Sequence, residues 1–248
     1  MAKARPLANA PLREAVIDLR VVLRNGVQVD ALADLGPGLS ESYPTRNDQM
    51  SVTGELRIGG DEGLVTRKSE HARIGYMFRS VDGSQIVQFR TNGFTFSRLA
   101  PYTDWEQVFP EAMRLWARYV EIANPVDIVR IATRYVNDMR FPLPLELSEY
   151  LTAPPPQPPG IQGDVIGFLT QLTVRDMETG SKVNIIQTIG EQSSDQVGII
   201  LDVDAFQDGL TVAPDDSVEL DRRFQMLRVL KNEVFFSSIT EAAAGRFE

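Results

Sequence analysis

Two arginines four residues apart, Arg130 and Arg134, are the residues of this sequence best placed to bind something. The segment 127–140, DIVRIATRYVNDMR, alternates as a strand does. Arg130, Ala132 and Arg134 then point to one face, and Val129, Ile131, Thr133 and Tyr135 to the other. At the rise of an extended chain the two arginines stand roughly 13 Å apart, able to flank a partner or to meet carboxylates on a neighbouring strand. The segment 14–24 offers Glu14 and Asp18, with Arg20 on the same face. If the two strands are neighbours, a polar patch crosses the middle of a sheet. The candidate partner-binding residues are therefore Glu14, Asp18, Arg20, Arg130, Arg134 and Asn137. A cross-strand ladder of salt bridges is the competing reading.

Catalytic chemistry finds less support. There is no cysteine and His71 is the only histidine, so thiol nucleophiles, histidine triads and histidine-rich metal sites are excluded within one chain. Gly59-Gly60-Asp61-Glu62-Gly63 lacks the Lys-Ser/Thr ending of a phosphate loop and reads as a hairpin turn. Asp202, Asp204 and Asp208-Gly209 have the wrong spacing for a calcium loop and read as a solvated strand end. Glu14 and Asp18, roughly 13 Å apart on one strand face, are too distant to act on one bond. Phe89, Arg90, Phe94, Phe96 and Arg98 interleave aromatic and basic side chains, a pattern single-stranded nucleic acid could use. The expectation is a protein that is not an enzyme and has no cofactor and no metal.

Charge weighs against nucleic acid. Residues 1–124 carry 15 Lys+Arg and 15 Asp+Glu, while residues 125–248 carry 10 and 19, so the whole net charge of -9 lies in the second half. Phosphate binding needs clustered positive charge. No run of about 18 apolar residues is present, which predicts no membrane span. No apolar stretch follows Met1-Ala2-Lys3-Ala4-Arg5-Pro6, and a cytoplasmic location is expected.

The elements that must position these residues repeat in order. In the first half come a strand at 14–24, a weak helical stretch at 27–43, and strands at 50–58, 72–81 and 85–99. A helix at 104–122 follows, with Thr103 and Glu106 as its capping box. Asp82-Gly83 signals a hairpin. After Asn124-Pro125 the order begins again: a strand at 127–140, a short helix at 145–151, strands at 165–175, 182–189 and 196–204, and a helix at 216–240. Leu220, Phe224, Leu227, Leu230, Val234 and Ile239 form the apolar stripe of that last helix. Pro154-Pro155-Pro156-Gln157-Pro158-Pro159-Gly160 reads as a stiff connector. The expected fold is α+β: two tandem β-α-β-β-β-α halves, 1–124 and 125–248, in one compact unit. A curved antiparallel sheet would carry both long helices on one face, as in the TATA-binding-protein-like duplicated fold. A helix-grip arrangement is the alternative.

Three stretches resemble an uncharacterised, sporadically distributed bacterial protein family. They are Pro11-Leu12-Arg13-Glu14-Ala15-Val16 leading to Arg20, Tyr102 followed by Trp105-Glu106, and Arg130-Ile131-Ala132-Thr133-Arg134-Tyr135-Val136-Asn137. Phe235 and Ile239-Thr240 match the style of that family's last helix, while Ala132 stands where glycine is usual. The resemblance implies a bacterial accessory-genome protein with no assigned activity, in a defence or toxin-neutralising setting. The function expected is thus a binding module for a protein partner. The rival readings are a small-molecule or nucleotide sensor with a pocket lined by Tyr76, Phe78, Phe89 and Trp116, and an unrecognised phosphoryl- or nucleotide-handling enzyme.

Overall fold

The structure, a computed structural model, describes residues 1–24, 28–58, 65–102, 104–160 and 163–248, and the side chains of all of these except 52–58 and 65–71. The side chain of His71, the turn expected at Gly59–Gly63 and the cap expected at Thr103 lie outside the described residues.

The strands are Leu12–Leu23 (β1), Thr45–Ile58 (β2), Val65–Arg79 (β3), Gln85–Arg90 (β4), Gly93–Leu99 (β5), Pro125–Pro142 (β6), Leu169–Arg175 (β7), Lys182–Gln192 (β8) and Gln196–Val212 (β9). The helices are Trp105–Ala123 (α1), Leu147–Tyr150 (α2), Ser217–Ser238 (α3) and Glu241–Ala244 (α4), with a 3-10 turn at Val29–Leu35. Among the described residues the strands form one antiparallel sheet in the order β2-β3-β4-β5-β1-β6-β9-β8-β7. The protein is thus a mixed α/β chain built on a single nine-stranded sheet. β1 and β6 meet at its centre, so the two segments carrying the candidate residues are neighbours, with Asp18 opposite Ala132 and Arg20 opposite Arg130.

The first half departs from the expected four strands. The segment 85–99 is two strands, β4 and β5, folded back on each other about Thr91 and Asn92. Gly75 lets β3 lie against β4: a Cβ there would meet the Phe89 carbonyl oxygen and approach Arg90 Cα to 2.8 Å. The Asp82-Gly83 hairpin forms as expected. The Asp82 carboxylate accepts from the Ser80 hydroxyl (2.6 Å) and the Ser84 backbone N–H (3.0 Å), and Gly83 takes the left-handed conformation with φ +72°.

α1 buries Trp105, Val108, Phe109, Ala112, Leu115, Trp116 and Tyr119, the recurrence that its sequence shows. Its N-cap is Asp104, whose carboxylate accepts from the Gln107 N–H at 2.8 Å. Asn124 ends it in the left-handed conformation, and Pro125 opens β6. Tyr119 stacks on Phe89 and Trp116 packs on Phe94, which stands opposite Leu19 of β1. α3 packs on β6 and β9. Phe224 meets Phe109 of α1 at 5.4 Å between ring centroids. Leu19 is opposite Ile131, and Ile131 shares its face with Tyr135, beneath α3. α1 and α3 thus meet through Phe109 and Phe224, each helix packed on strands of the sheet. One core fills the space between, with Ile17, Leu19, Phe94, Ile131, Met139 and Phe224 at 0–1% exposure.

The segment from Ala2 to Asn9 closes this layer. The Ala2 N–H donates to the Phe236 and Ile239 carbonyls at 3.1 and 2.9 Å, and the Asn9 N–H to the Phe247 carbonyl at 2.9 Å. The proline stretch joins α2 to β7, with neither helix nor strand through 154–158.

Candidate functional site

The uncovered face of the sheet holds five of the six candidate residues. Glu14, Asp18, Arg20, Arg130 and Arg134 border a shallow concavity of about 460 Å³. Asp18 is its hub. Arg20 Nε (3.0 Å) and Arg130 Nη1 (3.2 Å) donate to Asp18 Oδ1, while Arg90 Nη2 (3.2 Å) and the Thr95 hydroxyl (2.7 Å) donate to Oδ2. Arg130 also reaches Asp204 Oδ2 at 3.1 Å and lies over the Phe206 ring, 4.7 Å from its centroid. Arg134 holds Asp202 through Nε at 2.8 Å. Burial raises the carboxyl of Asp204 above the usual range, against the pull of Arg130 and then Arg134.

Of the two arginines expected to pair with β1 carboxylates, Arg130 does so, with Asp18, whereas Arg134 pairs with Asp202 of β9. Glu14 sits at the rim, where its charge adds to the field favouring protonated Arg134, behind the larger effect of the Asp202 hydrogen bond. Asp202 and Asp204 are not a solvated strand end. β9 runs on to Val212, so they sit mid-strand, Asp202 at 7% exposure, as partners of the arginines. Asn137 departs from the group. It sits an odd number of residues from Arg134, so it faces the helices, 5% exposed, and its amide donates to the Leu201 carbonyl at 3.0 Å. The face is largely self-satisfied: each of Arg20, Arg90, Arg130 and Arg134 has a carboxylate partner.

The pocket expected among Tyr76, Phe78, Phe89 and Trp116 is filled core. All four are at most 3% exposed, and Phe78 and Phe89 meet edge to face at 5.7 Å. A different opening lies on the helix side. It is a cavity of about 540 Å³ between α3, the start of α1, β6 and the segment 4–12. Its apolar walls include Leu7, Leu12, Trp105, Phe235 and Phe236. Tyr102 and Tyr135 line it too, hydrogen-bonded to each other through their hydroxyls at 3.0 Å.

Lys231 of α3 enters this cavity. It is 8% exposed, and its Nζ lies 3.4 Å from the centroid of the Tyr135 ring. Among the described residues the ammonium has no carboxylate at ion-pair distance and no hydrogen-bond acceptor. The nearby cations are already matched: Arg228 donates to Glu106 at 2.8 Å, and Arg5 pairs with Glu241 and Glu248 at 2.9 and 2.7 Å. Burial first, and the charge of Arg228 second, push the Lys231 ammonium down to about 7. Burial also raises both phenols of the tyrosine pair. Sequence reasoning passed over Lys231, although a signal was there. It stands four residues after Leu227 and four before Phe235, at the centre of the buried stripe, whereas Leu230 and Val234 flank it.

Among the described residues no group of three or more His, Asp or Glu side chains is arranged to hold a metal ion. No described helix is long and apolar enough to cross a membrane. No protein-family model and no curated protein matches this chain, so function rests on the geometry above.

Proposed function

We propose that this protein is a non-enzymatic binding module that takes a small, largely apolar ligand into the cavity between α3, α1 and the segment 4–12. One observation carries the reading: Lys231, a buried ammonium without a counter-charge, opens into a cavity large enough for a small ligand. A buried charge that serves stability alone is normally paired, because leaving it bare costs several kcal/mol. Concave, mainly apolar openings with a few polar groups are where small molecules bind. The test is a fragment screen by ligand-observed NMR on the wild-type protein and on Asn232→Trp, which fills the cavity from α3. Fragments should bind the wild type, and Asn232→Trp should displace them while keeping its circular dichroism. Absence of binding, or binding indifferent to Asn232→Trp, would overturn the reading.

A protein partner on the uncovered sheet face is the second reading. It is favoured by Arg134, whose side chain is 49% exposed and is held by Asp202 through Nε and Nη2, which leaves Nη1 to face a partner. Here Arg130→Ala with Arg134→Ala should leave the protein folded and remove a co-purifying protein. Retention of that partner would sink this reading. The mirrored strand order outward from β1 and β6 supports an internal duplication of the TATA-binding-protein-like kind, with five strands in one half and four in the other. The bacterial accessory-protein setting and cytoplasmic location belong to the same proposal.

A further inference from the structure

The carboxylates in the cavity wall are already engaged: Asp104 accepts from Gln107 and Glu106 from Arg228. Lys231 contributes an ammonium with no acceptor among the described residues. Trp105 gives its ring to the wall, while its indole Nε1–H is closed off from the cavity and is not offered to a ligand. In the Tyr102–Tyr135 pair one hydroxyl donates to the other, which leaves one O–H hydrogen over. The amide of Asn137 is spent on the Leu201 and Tyr135 carbonyls. Arg228 and Arg5 are neutralised by Glu106, Glu241 and Glu248. Of the charges in the wall, Lys231 is the one with no opposite charge beside it among the described residues; it rests on the Tyr135 ring, and the unspent hydrogens belong to its ammonium, to one phenol and to the Asn232 amide. Such groups are costly to bury empty and are satisfied by an oxyanion.

We infer that the ligand of this cavity is a monoanion, a carboxylate on an apolar ring-sized body, with the carboxylate seated on the Lys231 ammonium. This rests on the cavity being a ligand site and adds the class of ligand. A single charge matches a single carboxylate, whereas a phosphate dianion would bring a charge the site does not answer. The apolar body lies against Leu7, Leu12, Trp105, Phe235 and Phe236.

The site also links binding to protonation. The charged and titratable groups around Lys231 are Tyr135 from β6, Tyr102 and Asp104 ahead of α1, Glu106 from α1, Arg228 from α3 and Arg5 from the N-terminal segment. The one that titrates near neutral pH is Lys231 itself, at about 7. A carboxylate must find the lysine protonated, so its affinity falls above pH 7, by up to about tenfold per pH unit.

The experiment uses naphthoate and its neutral isostere naphthamide, titrated calorimetrically into the wild type and into Lys231→Met at pH 6.5 and 8.5. Naphthoate should bind the wild type at pH 6.5 about tenfold or more tighter than naphthamide. That preference should shrink at pH 8.5 and vanish in Lys231→Met, while naphthamide affinity stays the same throughout. Equal binding of the two probes to the wild type overturns the monoanion inference and leaves the cavity reading standing. Binding of neither, together with a fragment screen that finds nothing, overturns both. A preference for naphthoate that survives in Lys231→Met places the anion elsewhere and also overturns the inference.

Discussion

Arg90 of β4 reaches across β5 to Asp18 of β1, Nη2 to Oδ2 at 3.2 Å, and each side chain is 10% exposed. Arg134 of β6 and Asp202 of β9 form the contrasting pair, with Arg134 49% and Asp202 9% exposed. Burial should therefore divide one charged network into a costly centre and a less costly rim.

Replacing Asp18→Asn leaves Arg20, Arg90 and Arg130 around a neutral amide, and should cost about 3–5 kcal/mol. Arg134→Ala should cost less, about 1–3 kcal/mol: Arg134 itself meets water, but the Asp202 carboxylate that it leaves behind is only 9% exposed. Urea midpoints on the two variants decide this, and equal losses would show that the network is not graded by burial.

Lys231→Met should stabilise the protein. It removes an ammonium that the fold buries on the Tyr135 ring with no carboxylate beside it, and at pH 6 the gain should be on the order of 2–4 kcal/mol. The pH dependence follows in sign. The folded value of about 7 lies below the ordinary 10.5, so between these the unfolded chain holds the extra proton. Wild-type stability should then rise from pH 7 towards 10, with a slope of at most about 1.4 kcal/mol per unit. Above about pH 10 the buried phenols of Tyr102 and Tyr135, held protonated in the fold, act in the opposite sense. A Lys231→Met protein with the same slope between pH 7 and 9 would contradict this account.

Tyr102 and Tyr135 share one hydrogen bond inside the cavity wall. Tyr102→Phe strands the Tyr135 hydroxyl, and Tyr135→Phe strands that of Tyr102, each costing about 1–3 kcal/mol. The double variant strands neither. It should lose less than the sum of the two, by about 1 kcal/mol in a double-mutant cycle. Strict additivity would mean that the hydroxyls find other partners.

Gly75→Ala should destabilise by about 3 kcal/mol, because the added methyl runs into the backbone of Phe89 and Arg90 rather than into a side chain that could move. Thermal denaturation reads the loss. An unchanged midpoint would mean that β3 and β4 can part at little cost.

Periodicity carried the reading where one face of an element is buried and the other wet. α1 and the alternation of β1 and β6 were legible for that reason, and with them the placement of Arg130 and Arg134 beside Asp18. It failed where the signal is local or distant. Thr91 and Asn92 make a turn so tight that β4 and β5 read as one strand. Asp202 and Asp204 looked solvated because their partners are about 70 residues away in sequence, a separation of 68 for Arg134 with Asp202 and 74 for Arg130 with Asp204. The cavity was invisible as a place, since it exists only where segments near residues 7, 105, 135 and 231 converge. Lys231 was visible as an anomaly, one charge in an apolar stripe, and a search for broken patterns would have found it.

The segment Ala2–Asn9 hangs on backbone carbonyls of residues 236, 239 and 247, and the same segment walls the cavity. Residues far apart in sequence thus share one wall, and the cavity is held shut by backbone hydrogen bonds and not only by its own lining side chains. Strain placed on the turn of chain after α3 would reach the cavity through that seam while leaving the sheet and Lys231 where they are.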